Sequence, residues 1–344
     1  MEGPKYVLHT GMENLKHGIG NTRTSMSESE DYECELDEAS KVKARKELNE
    51  IPEERLSAVQ CFQDWINQQP WLKTPTDTKF LLSFLRTKKF SQLEARGLLE
   101  RYWSARTKAP EWTKGVDPAD PNLIKIIKDT QVYIPLPGRD KDGRKVILST
   151  MSKMDYSGRF FGPDEFTRAV MPIFDFLLLE ENIQVNGFTV IVDCTDVTLK
   201  AQTWFGMDRI RKGQEMRQKA FPARMKEIHY YNAGPVMEAL FNIVRPFMTE
   251  KLRKRMVFHT SMTTVYEKID ISMLPKEYLP DDYEGPTAGS LESILEKFIQ
   301  EEYLVSKKKL DFLRDLYNGS YGVDLSKKAK DDVPQASFRK LNAF

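Results

Sequence analysis

Cysteine is scarce: three residues in 344 (Cys34, Cys61, Cys194), an odd number at wide spacing. That excludes a disulfide framework and a CxxC zinc pattern, and reduced thiols are expected. Long apolar runs are missing as well. The best, Met171 to Leu179 around Asp175 and Phe188 to Val192, fall far short of the roughly 20 residues that cross a bilayer. The first thirty residues are polar and carry both signs of charge, without the basic start and apolar middle of a secretory signal, so a cytoplasmic protein is expected. Phosphate-binding turns are absent too. No Gly-x-Gly-x-x-Gly or Gly-x-x-x-x-Gly-Lys occurs at a strand-to-helix junction, and there is no Gly-x-Ser-x-Gly elbow or His-Glu-x-x-His helix. These gaps remove the commonest nucleotide-enzyme, hydrolase and zinc-enzyme readings. No catalytic residue, metal site or cofactor is expected.

Net charge is only +1, which argues against a nucleic-acid partner, but its distribution is uneven. Residues 1–40 hold three Lys/Arg against nine Asp/Glu, whereas residues 205–260 hold twelve against five. The first 39 residues have too little aliphatic content to offset ordering entropy and read as a disordered acidic tail. Residues 40–115 carry helical spacing, with Phe80, Leu81, Phe84, Leu85 and then Leu93, Leu98, Leu99, Tyr102, Trp103, and Asp77 and Ser91 stand where N-caps belong. A Pro- and Gly-containing connection, 109–122, follows.

The pattern then changes to short strands alternating with crossover segments. Lys145–Thr150, Phe188–Asp193, Lys226–Tyr231 and Met256–Thr260 read as strands, with an Asp142-Gly143 hairpin turn before the first. The intervening 163–183, 199–220 and 235–251 are long enough for helices, so the sheet should be mainly parallel. The fold class is therefore α/β, preceded by a small all-helical domain, with the α/β domain over 120–290 and a C-terminal helix and extension over 291–344.

The third crossover is unusual. Nine of thirteen residues from Val236 to Met248 are apolar, giving a wide apolar face, and Pro246 should kink the helix just before Phe247 and Met248. It reads either as a well-buried crossover with an incidental proline or as a lid. Lys251, Arg253, Lys254 and Arg255 follow it, while Arg224 and Lys226 flank the start of the preceding strand. Successive parallel strands begin at one sheet edge, so the two groups should form one basic surface, an anion site beside the candidate lid. His229, His259, Asp193 and Cys194 could assemble a Cys/His pair, but strand histidines that pack in the sheet and a small buried thiol are the preferred reading.

Phe80–Phe90, Asn186–Asp193, Phe221-Pro-Ala-Arg224 with Ile228-His229, Arg245–Lys251 and Leu274–Tyr278, in this order, resemble the CRAL-TRIO lipid-transfer family over residues 42–300. The glycine pair that usually closes the last motif is Leu279-Pro280 here. The resemblance implies an α/β lipid cage behind a three-helix domain, with Pro235 to Glu250 as its gate. It implies one bound hydrophobic lipid (a retinoid, tocopherol or similar isoprenoid) lined by Phe188, Val190, Phe205, Met216, Phe221, Ile228, Leu240, Phe241, Val244 and Phe247; the family's polar pocket residues on the first crossover do not carry over, that segment reading Phe166, Val170, Ile173 and Phe174. It further implies phosphoinositide contacts at Lys88, Arg224, Lys251 and Arg255. The expected protein is a monomeric carrier, not an enzyme, that exchanges cargo at phosphoinositide-containing membranes with which it associates reversibly. The alternative is a phosphoinositide-sensing trafficking adaptor with no obligatory cargo. The basic clusters Lys307–Lys309 and Lys327–Lys330 have no role in either reading.

Overall fold

Side-chain caps start most of the helices that precede the sheet. In a computed structural model, which describes residues 32–195 and 197–328, α1 (Glu38–Leu48) begins where the Asp37 carboxylate accepts from the Ser40 amide at 2.7 Å. Then come α2 (Arg55–Asn67), the short strand β1 (Leu72–Lys73), α3 (Thr78–Thr87) and α4 (Gln92–Thr107). Asp77 caps α3 through the Phe80 amide (2.9 Å) and Ser91 caps α4 through the Glu94 amide (3.5 Å); such a cap contributes about 1 kcal/mol. α3 buries Phe80 through Arg86, and Phe84 meets Tyr102 of α4 edge to face at 5.5 Å. The described end of the expected tail is packed, contrary to the sequence reading. Leu36, placed in the tail, is buried with Ala44, Leu48 and Val185, because four apolar side chains meet there. The rest of the acidic segment, 1–31, lies outside the described residues.

After α5 (Pro110–Thr113) and α6 (Pro121–Thr130), the strands are β2 (Tyr133–Pro135), β3 (Lys145–Thr150), β4 (Phe188–Asp193), β5 (Met225–Tyr231) and β6 (Met256–His259). Among the described residues they form one five-stranded sheet in the order β2-β3-β4-β5-β6, antiparallel at β2–β3 and parallel elsewhere. The mainly parallel α/β sheet is as expected. The sequence reading missed β2, which is short and contains a proline that cannot donate to a ladder, so it survives only at an edge.

The crossovers are more broken than expected. The first divides into α7 (Pro163–Leu178) and α8 (Glu181–Asn186). The second is α9 (Lys200–Glu215), interrupted at Gly206 (φ 71°) and ending in a π-turn, Met216–Ala220. The third is α10 (Pro235–Val244), a 3-10 turn at Arg245–Phe247, and α11 (Glu250–Arg253). The sequence reading expects a kink just before Phe247; the helix instead ends earlier, at Val244, with Pro246, which lacks the donor a continuing helix needs, inside the 3-10 turn.

Two buried ion networks tie helices to sheet layer. Arg86, fully buried, donates to Glu50 (2.8 and 2.9 Å), Glu181 (3.0 Å) and Gln184 (2.8 Å). Arg106 donates to Asp175 (3.1 Å), which also accepts from the Tyr317 hydroxyl (2.5 Å). Beyond β6 follow α12 (Met262–Tyr266), α13 (Leu291–Lys297), α14 (Lys307–Tyr317) and β7 (Gly322–Val323), which pairs antiparallel with β1. The C-terminal lysines are partly structural. The Lys309 ammonium sits 4.6 Å from the Phe176 ring centroid, and Lys328 pairs with Glu100; Lys330 lies outside the described residues.

Candidate functional site

Strand register sorts the sheet into two chemically different faces. Side chains alternate along a strand and paired residues share a face. Ile147, Val190, Ile228 and Met256 therefore form one row, and Ser149, Val192, Tyr230 and Phe258 the next, on the same face. Its β2–β4 end is closed by α7, where Phe174 packs on Tyr133 (5.0 Å) and Phe188 (6.3 Å); Phe188 and Val190 are buried there. Its β5–β6 end lies under α10. Phe241 meets Tyr230 at 4.8 Å and Phe258 at 5.4 Å. No residue of α10 is buried, Leu240, Phe241, Val244 and Phe247 are only half-buried, and Phe258 beneath them is 55% exposed. An apolar helix and an apolar sheet face that leave each other half exposed bound an open apolar space.

The ten apolar positions expected to line a pocket are not all at this space. Phe188, Val190 and Ile228 lie on the face and Leu240, Phe241, Val244 and Phe247 on its cover. Phe205 packs on Trp204 (4.8 Å) and on Phe166 of α7 (5.8 Å), near the face's other cover. Phe221 is half-buried where the π-turn leads into β5. Met216 packs with Ala109 and Trp112, on the seam with the helical part, and Met171 of α7 packs against that cluster. Tyr230, Met256 and Phe258 were missed. Alternation by two from Ile228 would have found Tyr230.

The basic residues converge. Lys88 caps α3, Lys251 lies on α11 and Arg255 enters β6. Arg224 leads into β5 and is fixed by Gly187 (φ 85°), where a Cβ would fall 2.0 Å from the Arg224 carbonyl oxygen, the acceptor for the Phe188 amide (2.9 Å). Burial, then the charges of Arg255, Lys88, Arg224 and Lys89, push the Lys251 ammonium down. Burial, Arg224 and Arg144 do the same to Arg255. Lys226 joins them; burial and neighbouring Arg224 lower it to about 8. Cations that depress one another in this way stand within electrostatic reach of one another and make one positive patch. Glu47 of α1 reaches into it, 2.9 Å from Arg224 and 3.5 Å from Lys226. Arg253 and Lys254 are exposed beside it, Lys254 pairing with Glu250 at 2.7 Å.

The other face of the sheet is mixed: Val146, Leu148 and Ile191 are buried on it, and polar side chains gather toward β5 and β6. His229 Nδ1 and His259 Nε2 share a hydrogen bond of 2.9 Å, His259 Nδ1 meets Thr264 Oγ1 at 2.7 Å, and His229 Nε2 lies 3.2 Å from Glu227. Asp193 accepts from the Tyr278 hydroxyl at 2.7 Å. The histidines bond to each other, and Cys194 donates instead to the Val192 carbonyl (3.7 Å). Burial, then Asp193, pushes its thiol up to about 12, the opposite of an activated nucleophile.

A five-stranded, mostly parallel sheet with a helix-covered apolar face is the architecture of a CRAL/TRIO protein, and a model of the CRAL/TRIO domain matches residues 129–278. The chain belongs to the CRAL/TRIO family. A model of the Pinta-like UBA domain matches residues 51–123. Within the family the chain is similar to "Alpha-tocopherol transfer protein-like" of Mus musculus and of Homo sapiens, each 33% identical over 264 residues, covering 76% of this chain and 74% of theirs. "Clavesin-2" of Homo sapiens is 32% identical over 240 residues, covering 69% and 72%. Among solved structures, "Crystal structure of Sfh5" matches with a TM-score of 0.46 and 14% identity over 77% of this chain and 99% of that one.

Proposed function

We propose that the protein carries one hydrophobic lipid between the β4–β6 face and α10, and exchanges it at phosphoinositide-containing membranes to which Lys88, Arg224, Lys251 and Arg255 dock it. The observation that carries this reading is the half-exposed contact between α10 and Tyr230 and Phe258, with the basic cluster at the C-terminal end of the same crossover. Family members bind and transfer lipids, and the name of the tocopherol-transfer-like relatives favours an isoprenoid cargo. Burying about twenty carbons at ~0.8 kcal/mol per methylene stores roughly 16 kcal/mol, so release into water is far too slow for a carrier. The cover must open against acyl chains, and the break at Pro246 supplies a hinge for α10 next to the docking cations. Four such cations at ~1 kcal/mol each near an anionic surface give about 4 kcal/mol, roughly a thousandfold enrichment. The carrier is then a cytoplasmic monomer with reversible membrane association.

Native mass spectrometry and organic extraction of protein from its source cells test the reading. One isoprenoid at one-to-one stoichiometry supports it. An empty protein, or a mixture mirroring bulk phospholipid, replaces it with the cargo-free adaptor.

A further inference from the structure

The anion site already holds an anion of its own. Glu47 stands on α1, which is stitched along the sheet domain: the Asn186 amide donates to Ser40 Oγ (2.7 Å), the Lys43 ammonium donates to the Asp142 carbonyl (2.7 Å), and Ala44 and Leu48 pack on Val185. This fixes the last turn of α1 over the entry to β5. There a single carboxylate oxygen of Glu47 takes both Arg224 Nη2 (2.9 Å) and Lys226 Nζ (3.5 Å), while Arg224 Nη1 donates to the Val185 carbonyl. Both cations are largely covered (13% and 19% exposed) and Glu47 is 43% exposed. Burial raises the Glu47 carboxyl, but the hydrogen bond from Arg224 and the charges of Lys226, Arg224 and Lys43 outweigh it and hold it below the usual carboxylate range. Among the described residues Lys251 has no carboxylate partner. The cluster is thus divided: Glu47 occupies Arg224 and Lys226, Arg255 donates to the Met225 carbonyl and Lys88 lies 3.7 Å from Glu94, while Lys251 is left to meet an incoming group.

We propose that Glu47 is a selectivity residue of this site, an internal competitor that only a polyphosphorylated inositol headgroup displaces. The inference rests on the anion-site reading above. A carboxylate on two cations is chemically what a phosphate oxygen would be. A headgroup with one negative charge gains little by replacing it, because Glu47 is tethered and competes at high effective concentration. A headgroup with two phosphate monoesters, each about −1.5 to −2 at pH 7, can replace Glu47 at Arg224 and Lys226 and engage Lys88, Lys251 and Arg255 together.

The full chain, its E47Q and E47D variants and the K251A/R255A double variant are compared by flotation on three vesicle types: phosphatidylcholine alone, phosphatidylcholine with phosphatidylserine, and phosphatidylcholine with phosphatidylinositol bisphosphate. Soluble inositol trisphosphate is titrated alongside. Wild type binds only the bisphosphate vesicles. E47Q, and E47D whose shorter arm no longer reaches both cations, bind both anionic vesicle types about tenfold tighter, which is ~1.4 kcal/mol. Amide exchange in 38–48 of the wild type accelerates when the trisphosphate is added. Unchanged or weaker binding by E47Q at an unaltered melting temperature, or unchanged exchange in α1, overturns the competitor. Wild type that ignores bisphosphate vesicles, with the double variant no different, overturns the anion site itself. Tightening by E47Q toward the soluble trisphosphate alone upholds the competitor and makes the ligand a free inositol phosphate.

Discussion

α3 and α10 are both ten residues long, and α10 is the more apolar, with seven apolar side chains besides its proline against five in α3. Yet α3 buries eight of its ten residues and α10 none. Apolar content therefore does not decide burial; the presence of a shaped partner does. α3 is held between α4, the C-terminal α14 and the Arg86 network, with Phe80 and Phe84 in edge-to-face contacts. α10 rests on a sheet face through one aromatic contact cluster and is otherwise free of the core.

The largest effect should come from truncating matched aromatics in the two helices. Phe84→Ala should destabilise the fold by about 3–5 kcal/mol, while Phe241→Ala should cost about 1 kcal/mol or less, because a half-exposed ring has little burial to lose. Urea unfolding checks this, and equal costs would end the contrast. Next in size, K251A/R255A should weaken association with phosphoinositide vesicles by roughly 30-fold at ~1 kcal/mol per cation and leave the unfolding midpoint unchanged. A flotation assay that registers no loss would detach the cluster from docking.

Two smaller effects follow from pH. His229 and His259 sit on the sheet face opposite α10. Burial, then the neighbouring imidazole for His229 and the charge of Lys268 for His259, hold both below their ordinary value despite the opposing charges of Glu227 and Glu267 respectively. The unfolded chain thus binds protons at about pH 6.5 that the fold resists, so stability should fall as pH drops below that point and level off under the folded values. Urea midpoints between pH 7 and 5 measure this, and His259→Gln should flatten the slope. Lys226 on the open side is lowered to about 8, so it is charged below that pH and neutral above it. Vesicle association should weaken slightly from pH 7 to pH 9, and Lys226→Met should remove that part of the change.

Much of the α/β layer was legible in the sequence because its signals are local. Lys145–Thr150 and Phe188–Asp193 are strands with those bounds, and β5 and β6 differ from expectation by one residue each. A break close to the end of α10 could be read from Pro246, and the meeting of Arg224 with Lys251 and Arg255 from the rule that parallel strands begin at one edge. What could not be read depends on context. Gly206 interrupts α9 and the π-turn at Met216–Ala220 ends it without any proline to announce either, and the packing of Met216 on Trp112 joins residues 104 positions apart in the chain. Phe258 joins Tyr230 under α10 only because strand register aligns the two. Glu47 reaches the cations across 177 positions of chain, and nothing in its neighbours signals that contact.

The pairing of β7 with β1 bears on the order in which the molecule can assemble. Val323 donates its amide to Thr107, 216 positions earlier, and Tyr321 covers Trp103 at 5.6 Å. During synthesis the leading helices therefore emerge well before the strand and ring that complete them. The ribosome must deliver the whole lipid cage before the first-made helices gain their last support, so cage and helices are expected to reach their final state in one late, shared step.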